Sequence, residues 1–237
     1  MRYIGLIWVT ILFLVSNIIC GQDHLYINRT LQDFAAKMEF SGSGMINQRP
    51  GVIQTRIDGS AYLNDKFEEG EIYTTENVRF TGIPMRFDAY HDAVEVLMPD
   101  DKIYVLANTN KIIKISLDSA ELVHTRFLSS EGERAGYLSL IYNGMSTLYR
   151  RDYKVFKEGT PSNGIINEIP PRIIDRPIEY YVRTNAGLPR YFKTTKDLTE
   201  LLVAHSSEIK SFLKKERINV KKEADLVKVL TYFDSLN

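Results

Sequence analysis

The sequence predicts a mainly β (α+β) protein: a strongly curved antiparallel meander or half-barrel of about 10 to 12 strands, followed by C-terminal short helices. Between residues 61 and 128, short apolar or alternating runs follow one another, and turn signals end each run. Beyond residue 194 the apolar residues recur at helical spacing. The 237 residues are enough for one large β-rich domain with an appendage.

The first 21 residues have the features of a signal peptide. A single charge at Arg2 precedes an apolar stretch that is too short for a comfortable membrane span of about 20 residues. Gly21 supplies the small side chain that signal peptidase requires, so we expect cleavage before Gln22. Lipoprotein processing at Cys20 is the less favoured alternative, because Ile19 is too large for a lipobox. We expect export to the periplasm or outer membrane, and a mature protein at most peripheral to the membrane.

Composition and charge exclude several classes of function. Cys20 is the only cysteine, so the mature chain would have no disulfide, catalytic thiol or cysteine-bound metal. Residues 58–101 carry 11 acidic against 3 basic residues, and residues 190–237 carry 10 basic against 7 acidic. We interpret both as solvated faces, with an acidic surface that meets a basic partner as the alternative. A nucleic-acid partner is not supported, because the basic end lacks interleaved aromatic residues.

An N-terminal segment, residues 22–60, precedes the strands and contains one predicted helix. Thr30 and Asp33 resemble a capping box, and apolar residues from Leu31 onward recur at i, i+3, i+4 and i+7. We therefore predict a short helix from Leu31 to Lys37 whose apolar stripe packs on the sheet.

The strands occupy residues 61–194, and an irregular, proline-rich linker at residues 157–178 interrupts them. Asn143-Gly144 lies between two alternating runs, which is the strongest short-range hairpin signal. Two more strands are expected after the linker, near residues 179–183 and 188–194. Because open sheets of more than about ten strands curl, we expect a concave face that the chain's own helices or a ligand must fill.

Three short amphipathic helices are predicted in residues 195–237. Thr194 and Asp197 have the spacing of a cap for the first helix, and Ser206 or Ser207 is expected to cap the second. Each helix has a single apolar stripe, so we expect the three to pack on each other and on the sheet.

The four histidines form no recognisable catalytic or zinc-binding motif. His91 lies between Asp88, Asp92 and Glu95, and we interpret it as a solvated hairpin tip. His124 lies within a predicted strand, and we interpret it as a packed residue. We therefore predict no catalytic residue, no metal and no cofactor. An envelope hydrolase with a site near His91 or His124 is the alternative.

Several short motifs resemble a group of uncharacterised exported proteins of Bacteroidota. They include Tyr62-Leu-Asn-Asp, Gly70-Glu-Ile-Tyr, Met85-Arg-Phe-Asp-Ala-Tyr and the ending Thr231-Tyr-Phe-Asp-Ser-Leu. The group has no assigned activity, so the resemblance implies export and a single fold only. Bacteria of that phylum O-glycosylate exported proteins at Asp-Ser/Thr-apolar triplets, and the resemblance makes Ser119 and Ser235 candidate sites.

The leading hypothesis is a non-enzymatic exported envelope protein. Its curved β-sheet would bind an apolar ligand such as a lipid, or a segment of a partner envelope protein. Besides the hydrolase, the second alternative is a structural accessory subunit of an envelope complex, held through the acidic face of the meander.

Overall fold

The computed structural model describes residues 26–37, 40–43, 57–107, 109–162, 167, 169–185 and 187–237. The predicted signal peptide, its cleavage site and Cys20 lie outside these residues. In the described ranges the strands are β1 (Ile27–Arg29), β2 (Phe40–Ser43), β3 (Glu68–Thr74), β4 (Val78–Asp88), β5 (Ala93–Leu97), β6 (Ile103–Leu106), β7 (Ile112–Ser116), β8 (Glu121–Ser129), β9 (Gly132–Asn143), β10 (Ser146–Arg151), β11 (Lys154–Lys157), β12 (Arg172–Asp175), β13 (Glu179–Thr184) and β14 (Arg190–Phe192). The α-helices are α1 (Leu31–Lys37), α2 (Thr195–Leu201), α3 (Ser206–Lys215) and α4 (Glu223–Ser235), and short 3-10 helices cover Thr109–Lys111 and Val203–His205.

Twelve strands form one large, mostly antiparallel sheet, which confirms the predicted mainly β fold with C-terminal short helices. The strand order is β14–β13–β10–β9–β8–β7–β3–β4–β5–β6–β2, and β1 pairs in parallel with β4. The order departs from a simple meander at β7, which returns to pair with β3. A returning strand of this kind is typical of a Greek key. β11 and β12 form a separate two-stranded sheet.

One end of the large sheet closes into a ring of five strands, namely β8, β9, β10, β13 and β14. The ring closes where β14 pairs in parallel with β8, at Arg190 and Leu128. There the backbone N–H of Leu128 donates to the carbonyl oxygen of Pro189 over 2.8 Å. The predicted curvature is therefore present, and at this end it pairs β14, which would otherwise be an edge strand, with the end of β8.

The interior of the ring is filled by side chains of its own strands. Successive residues of a strand point to opposite faces, and the inner face carries the buried residues Phe127, Leu138, Tyr149 and Tyr181. The rings of Phe127 and Tyr181 meet edge to face, with centroids 5.0 Å apart. The expectation that helices or a ligand fill the concave face is wrong for this ring, because five strands enclose room only for their own side chains.

The three C-terminal helices cover the outside of the ring. Leu148, Tyr180 and Phe192 alternate with the interior residues along their strands and therefore face outward. They pack against the apolar stripes of the helices, to which α4 contributes Leu226 and Leu230. Each fully buried side chain of this kind stabilises the fold by about 1.5–3 kcal/mol, so the helices belong to the core.

Another core lies at the other end of the sheet, on the face opposite the ring interior. Ile72, Ile115 and Leu122 are neighbours across adjacent strands on this face, and all three are buried. Helix α1, which has the predicted bounds, closes over this core. Its Phe34 ring lies 5.2 Å from the ring of Phe80. The apolar stripe of α1 therefore packs on the sheet, as expected.

The predicted helix caps differ in outcome. At α2 the Thr194 hydroxyl accepts from the N–H of Asp197 over 3.2 Å, and the Asp197 carboxylate accepts from the N–H of Thr194 over 2.9 Å. The prediction that Ser206 or Ser207 caps the next helix is wrong. His205 occupies the N-cap position of α3, and no side chain caps it. Ser206 already has helical backbone angles, because a 3-10 helix leads directly into α3.

β11 and β12 together form a two-stranded sheet that we call the arm. The strand after Asn143-Gly144 ends at Arg151, and the residues that follow form β11, which pairs with β12. The linker predicted to be irregular, residues 157–178, therefore contains a strand. Its sequence, Arg172-Ile-Ile-Asp, has two adjacent β-branched residues, which favour extended backbone.

Candidate functional site

His91, the first candidate from the sequence, lies on the turn between β4 and β5. Its Nδ1 atom lies 2.7 Å from Oδ2 of Asp88. The other carboxylate oxygen of Asp88 accepts from the backbone N–H groups of Tyr90 and His91, over 3.0 and 2.9 Å. The Asp88 side chain thus organises the turn by accepting hydrogen bonds from the backbone of the residues that follow it, which is a common role of aspartate in turns.

The other acids near His91 in sequence do not gather around it. Glu95 forms an ion pair of 2.7 Å with Arg86 on the neighbouring strand. Asp92 faces β9, where it accepts from the backbone N–H of Tyr137 over 3.1 Å. The three carboxylates that the sequence places beside His91 therefore serve three separate contacts.

A different group meets between this turn and strands β8 and β9: Asp92, Thr109, His124 and Tyr137. His124 and Tyr137 are cross-strand neighbours whose ring centroids lie 5.0 Å apart. The Thr109 hydroxyl oxygen lies 3.0 Å from Nδ1 of His124. The Tyr137 hydroxyl is buried, and it has no hydrogen-bond partner among the described residues.

Burial governs the protonation of this group. Burial raises the pKa of Asp92 and lowers the pKa of His124, so it favours the neutral form of both. Burial likewise raises the pKa of the Tyr137 hydroxyl. A neutral imidazole beside a hydroxyl could in principle act as a general base. The contacts of Asp92, His124 and Tyr137 are, however, the contacts that packing between neighbouring strands produces.

The packing explanation depends on Gly136, the residue before Tyr137. A Cβ atom at this position would overlap the carboxylate of Asp92. A glycine inside a strand marks a close approach of another group, and this was the available sequence signal for the contact. The sequence analysis identified His124 but missed Gly136, Tyr137 and Thr109. Together these residues join the β4–β5 turn to the centre of the sheet.

Within the described ranges, no group of three or more histidine, cysteine, aspartate or glutamate side chains is placed to hold a metal ion. None of the helices in those ranges is both long and apolar enough to cross a membrane.

The candidate O-glycosylation sites are both at the surface. Ser119 lies on the turn between β7 and β8, and its backbone N–H donates to Glu68 over 2.9 Å. Ser235 ends α4, and its hydroxyl donates to the carbonyl oxygen of Tyr232 over 2.6 Å. Both serines are exposed, as glycosylation requires. Modification at either stays a prediction.

Five of the eleven acidic side chains of residues 58–101 form ion pairs within the protein. The ion pairs are Glu71 with Arg79, Glu76 with Lys37, Asp88 with His91, Glu95 with Arg86, and Asp100 with Lys102. Each internal partner offsets charge that an acidic docking face would require. The acidic balance of this region therefore gives little support to a partner held by charge alone.

The arm combines exposed apolar side chains with sparse packing. Phe156 on β11 is 42% exposed, and Ile169, just before β12, is 45% exposed. Ile57, which adjoins the arm through Asp58, is 51% exposed. A two-stranded sheet is only marginally stable in water without further packing. The arm therefore combines exposed apolar side chains with a two-stranded pairing that further packing would stabilise.

The two edges of the arm differ. The outer edge of β12 is covered by Asp58, which donates to the carbonyl oxygen of Pro171 over 2.9 Å and accepts from the N–H of Ile173 over 2.8 Å. On β11, the N–H of Lys154 points away from β12 and donates to Ala89 over 3.0 Å. Because backbone groups alternate in direction along a strand, those of Phe156 also point away from β12.

The backbone groups of Phe156 have no partner strand among the described residues. They lie beside its exposed ring, so the edge of β11 offers both hydrogen-bonding groups and apolar surface. This is the combination that strand-adding sites use.

Comparison with known proteins gives no functional assignment. No protein-family model, curated protein or solved structure matches this chain. The geometry of the arm and of the sheet therefore provides the basis for a function.

Proposed function

We propose that this protein is a non-enzymatic, exported protein of the cell envelope that binds an extended segment of a partner protein at the arm. The observation that carries the proposal is the open edge of β11 beside the exposed ring of Phe156. A strand added at such an edge gains main-chain hydrogen bonds, while its side chains contact the neighbouring residues on both faces.

The filled interior of the ring favours a partner protein over a lipid. Pockets for small molecules usually offer about 300–1,000 Å³ of concave, mostly apolar space. In the ring that space is taken by Phe127, Leu138, Tyr149 and Tyr181. The proposed binding surface is therefore the arm and not the concave face of the sheet.

Strand addition would also resolve the weak pairing of the arm. A third strand would convert the two-stranded sheet into a three-stranded one, the smallest arrangement with independent stability. It would cover Phe156 on one face and pair the outward backbone groups of that residue. One edge of the arm is already protected by Asp58, so a single added strand completes it.

The alternatives have less support. A hydrolase near His91 or His124 needs acids gathered around an imidazole, and Asp88, Asp92 and Glu95 serve separate contacts. An accessory subunit held through the acidic face needs free carboxylates, and five of the eleven already have ion-pair partners within the protein. An accessory role held through the arm is contained in the proposal.

The test is site-specific photo-crosslinking of the full-length protein in its native bacterium. A photoreactive residue replaces Phe156, and in a matched variant it replaces Met145, which is 67% exposed at the tip of the β9–β10 hairpin. We expect one discrete crosslinked protein from position 156 and none from position 145. In parallel, Phe156→Ser should reduce the complex seen by native mass spectrometry about tenfold, and Met145→Ser should leave it unchanged.

Two results would contradict the proposal. One is equal crosslinking from positions 156 and 145, because the arm would then have no special contact. The other is a purified protein that carries only an extractable lipid, with an amount of lipid that Phe156→Ser does not change. That result would support the apolar-ligand hypothesis instead.

A further inference from the structure

One cross-strand pair in the arm carries two like charges. Lys157 on β11 lies directly opposite Arg172 on β12, and both are exposed. Like charges in this position destabilise an antiparallel pair. At the other end of the arm, Lys154 and Asp175 form an ion pair of 3.3 Å. Neither Lys157 nor Arg172 forms an ion pair with a described residue, although Asp58 is the neighbour of Arg172 across the outer edge of β12.

The two faces of the arm therefore differ in character. Directly opposite residues share a face, and successive residues alternate between faces. Phe156 and Ile173 lie together on one face, and Lys154 on that face is already neutralised. Lys157 and Arg172 lie together on the other face. On the first face Phe156 is the exposed side chain beside the open edge. On the second face Val155 and Ile174 are half-buried, and the exposed side chains are the positively charged Lys157 and Arg172.

We infer that the segment bound at β11 is an extended strand in which apolar and acidic side chains alternate. This inference rests on the proposed function and adds the chemistry of the partner. A strand paired along the edge at Phe156 places its side chains alternately on the two faces. Apolar side chains then cover Phe156, while acidic side chains lie beside Lys157 and neutralise its repulsion with Arg172 through charge-assisted hydrogen bonds.

The test uses two synthetic ten-residue peptides, one alternating valine and glutamate and the other alternating valine and lysine. Binding of each labelled peptide to the purified exported protein is measured by fluorescence anisotropy at low and high salt. We expect the glutamate peptide to bind about tenfold more tightly, with a difference that shrinks at high salt. The double variant Lys157→Glu with Arg172→Glu should reverse this preference.

A matched variant separates a local effect from a general one. Lys214→Glu with Lys215→Glu makes the same change in net charge on the exposed surface of α3. It should leave the preference for the glutamate peptide intact. Loss of the preference in this variant would overturn the inference, because overall charge would then explain the binding.

Failure of the inference and failure of the proposed function have different signatures. If neither peptide binds, or both bind equally, while the native complex still depends on Phe156, the inference is wrong and the proposed function stands. If the native complex also ignores Phe156→Ser, both are wrong.

Discussion

At the scale of single residues, Asp92 connects two parts of the sheet that are distant in sequence. Its backbone has a φ of 54°, a conformation that aspartate and asparagine tolerate better than most residues. This conformation directs the carboxylate toward β9, where it accepts from the N–H of Tyr137 beside Gly136. Burial raises the pKa of Asp92, while the hydrogen bond from the Tyr137 N–H and the positive charge of Arg151 partly offset that effect. A raised pKa means that the charged carboxylate weakens the folded state.

We predict that Asp92→Asn raises the free energy of unfolding at pH 7. Asparagine keeps an oxygen that accepts from Tyr137 and tolerates the same backbone angle, but it carries no charge to desolvate. Since the folded state of the native protein binds its proton more tightly, its stability falls as pH rises through the pKa of Asp92. The gain should therefore shrink as the pH is lowered through that range. Urea unfolding of both proteins at several pH values measures the difference.

Asp100 provides a control, because the same substitution there should change the free energy of unfolding in the opposite direction. A hydrogen bond from the Lys102 side chain lowers the pKa of Asp100, so its charge contributes stability that is present at neutral pH and lost on acidification. Asp100→Asn should lower stability slightly at pH 7. A loss of stability for Asp92→Asn at pH 7 would instead mean that the hydrogen bond from Tyr137 and the attraction to Arg151 outweigh desolvation of the carboxylate.

At the scale of elements, α4 is tied to the β9–β10 hairpin by one carboxylate. Asp234 accepts from the backbone N–H of Ser146 over 3.0 Å and from the Tyr142 hydroxyl over 2.8 Å. A Cβ atom at Gly144 would overlap this carboxylate, so the turn residue leaves it room. The aspartate of the triplet that contains Ser235 therefore has a structural role already.

We predict that Asp234→Ala lowers the free energy of unfolding by about 3 kcal/mol, because it removes two hydrogen bonds to a partly exposed charged acceptor and each contributes about 1.5–3 kcal/mol. Asp234→Asn keeps an acceptor oxygen and should lose less. Chemical denaturation measures both values, and amide exchange at Ser146 reports the local opening. Unchanged exchange at Ser146 in Asp234→Ala would mean that the turn does not depend on α4.

Elements with local signals were predictable from the sequence. The helix at Leu31–Lys37 and the cap at Thr194 depend on residues within one or two turns of chain, and Asn143-Gly144 marks the β9–β10 hairpin. The return of β7 to β3 and the closure of the ring at Leu128 were not predictable. Both are decided by packing between residues far apart in sequence, for which alternation along one strand carries no information.

The same distinction explains the candidate site. His91 has three acids nearby in sequence, but strand alternation and the positive φ of Asp92 send them in different directions. The positive charge of Lys157 predicts nothing on its own, because only the strand register shows that Arg172, on the far side of the predicted linker, lies opposite it. Sequence reasoning identified the linker and its prolines, but it could not supply the pairing that makes the arm a surface.

At the scale of the whole molecule, two strands join the cores. On β8, Leu122 belongs to the core under α1, and Phe127 belongs to the ring interior. On β9, Tyr137 and Leu138 divide in the same way. The core under α1 and the ring interior lie on opposite faces of these two strands, and neither can lose the strands without exposing the other. The sheet should therefore behave as one cooperative unit.

We predict a single unfolding transition that substitutions in either core shift alike. Ile115→Ala and Leu138→Ala each remove a fully buried side chain and should cost about 2–5 kcal/mol. Ile113→Ala, on the exposed face of the same strand as Ile115, should change stability by no more than about 0.5 kcal/mol. Circular dichroism and tyrosine fluorescence, recorded in parallel during urea unfolding, should give coincident curves with an unchanged slope. Two separated transitions, one moved by Ile115→Ala and the other by Leu138→Ala, would mean that β8 and β9 do not couple the cores and that the ring folds independently.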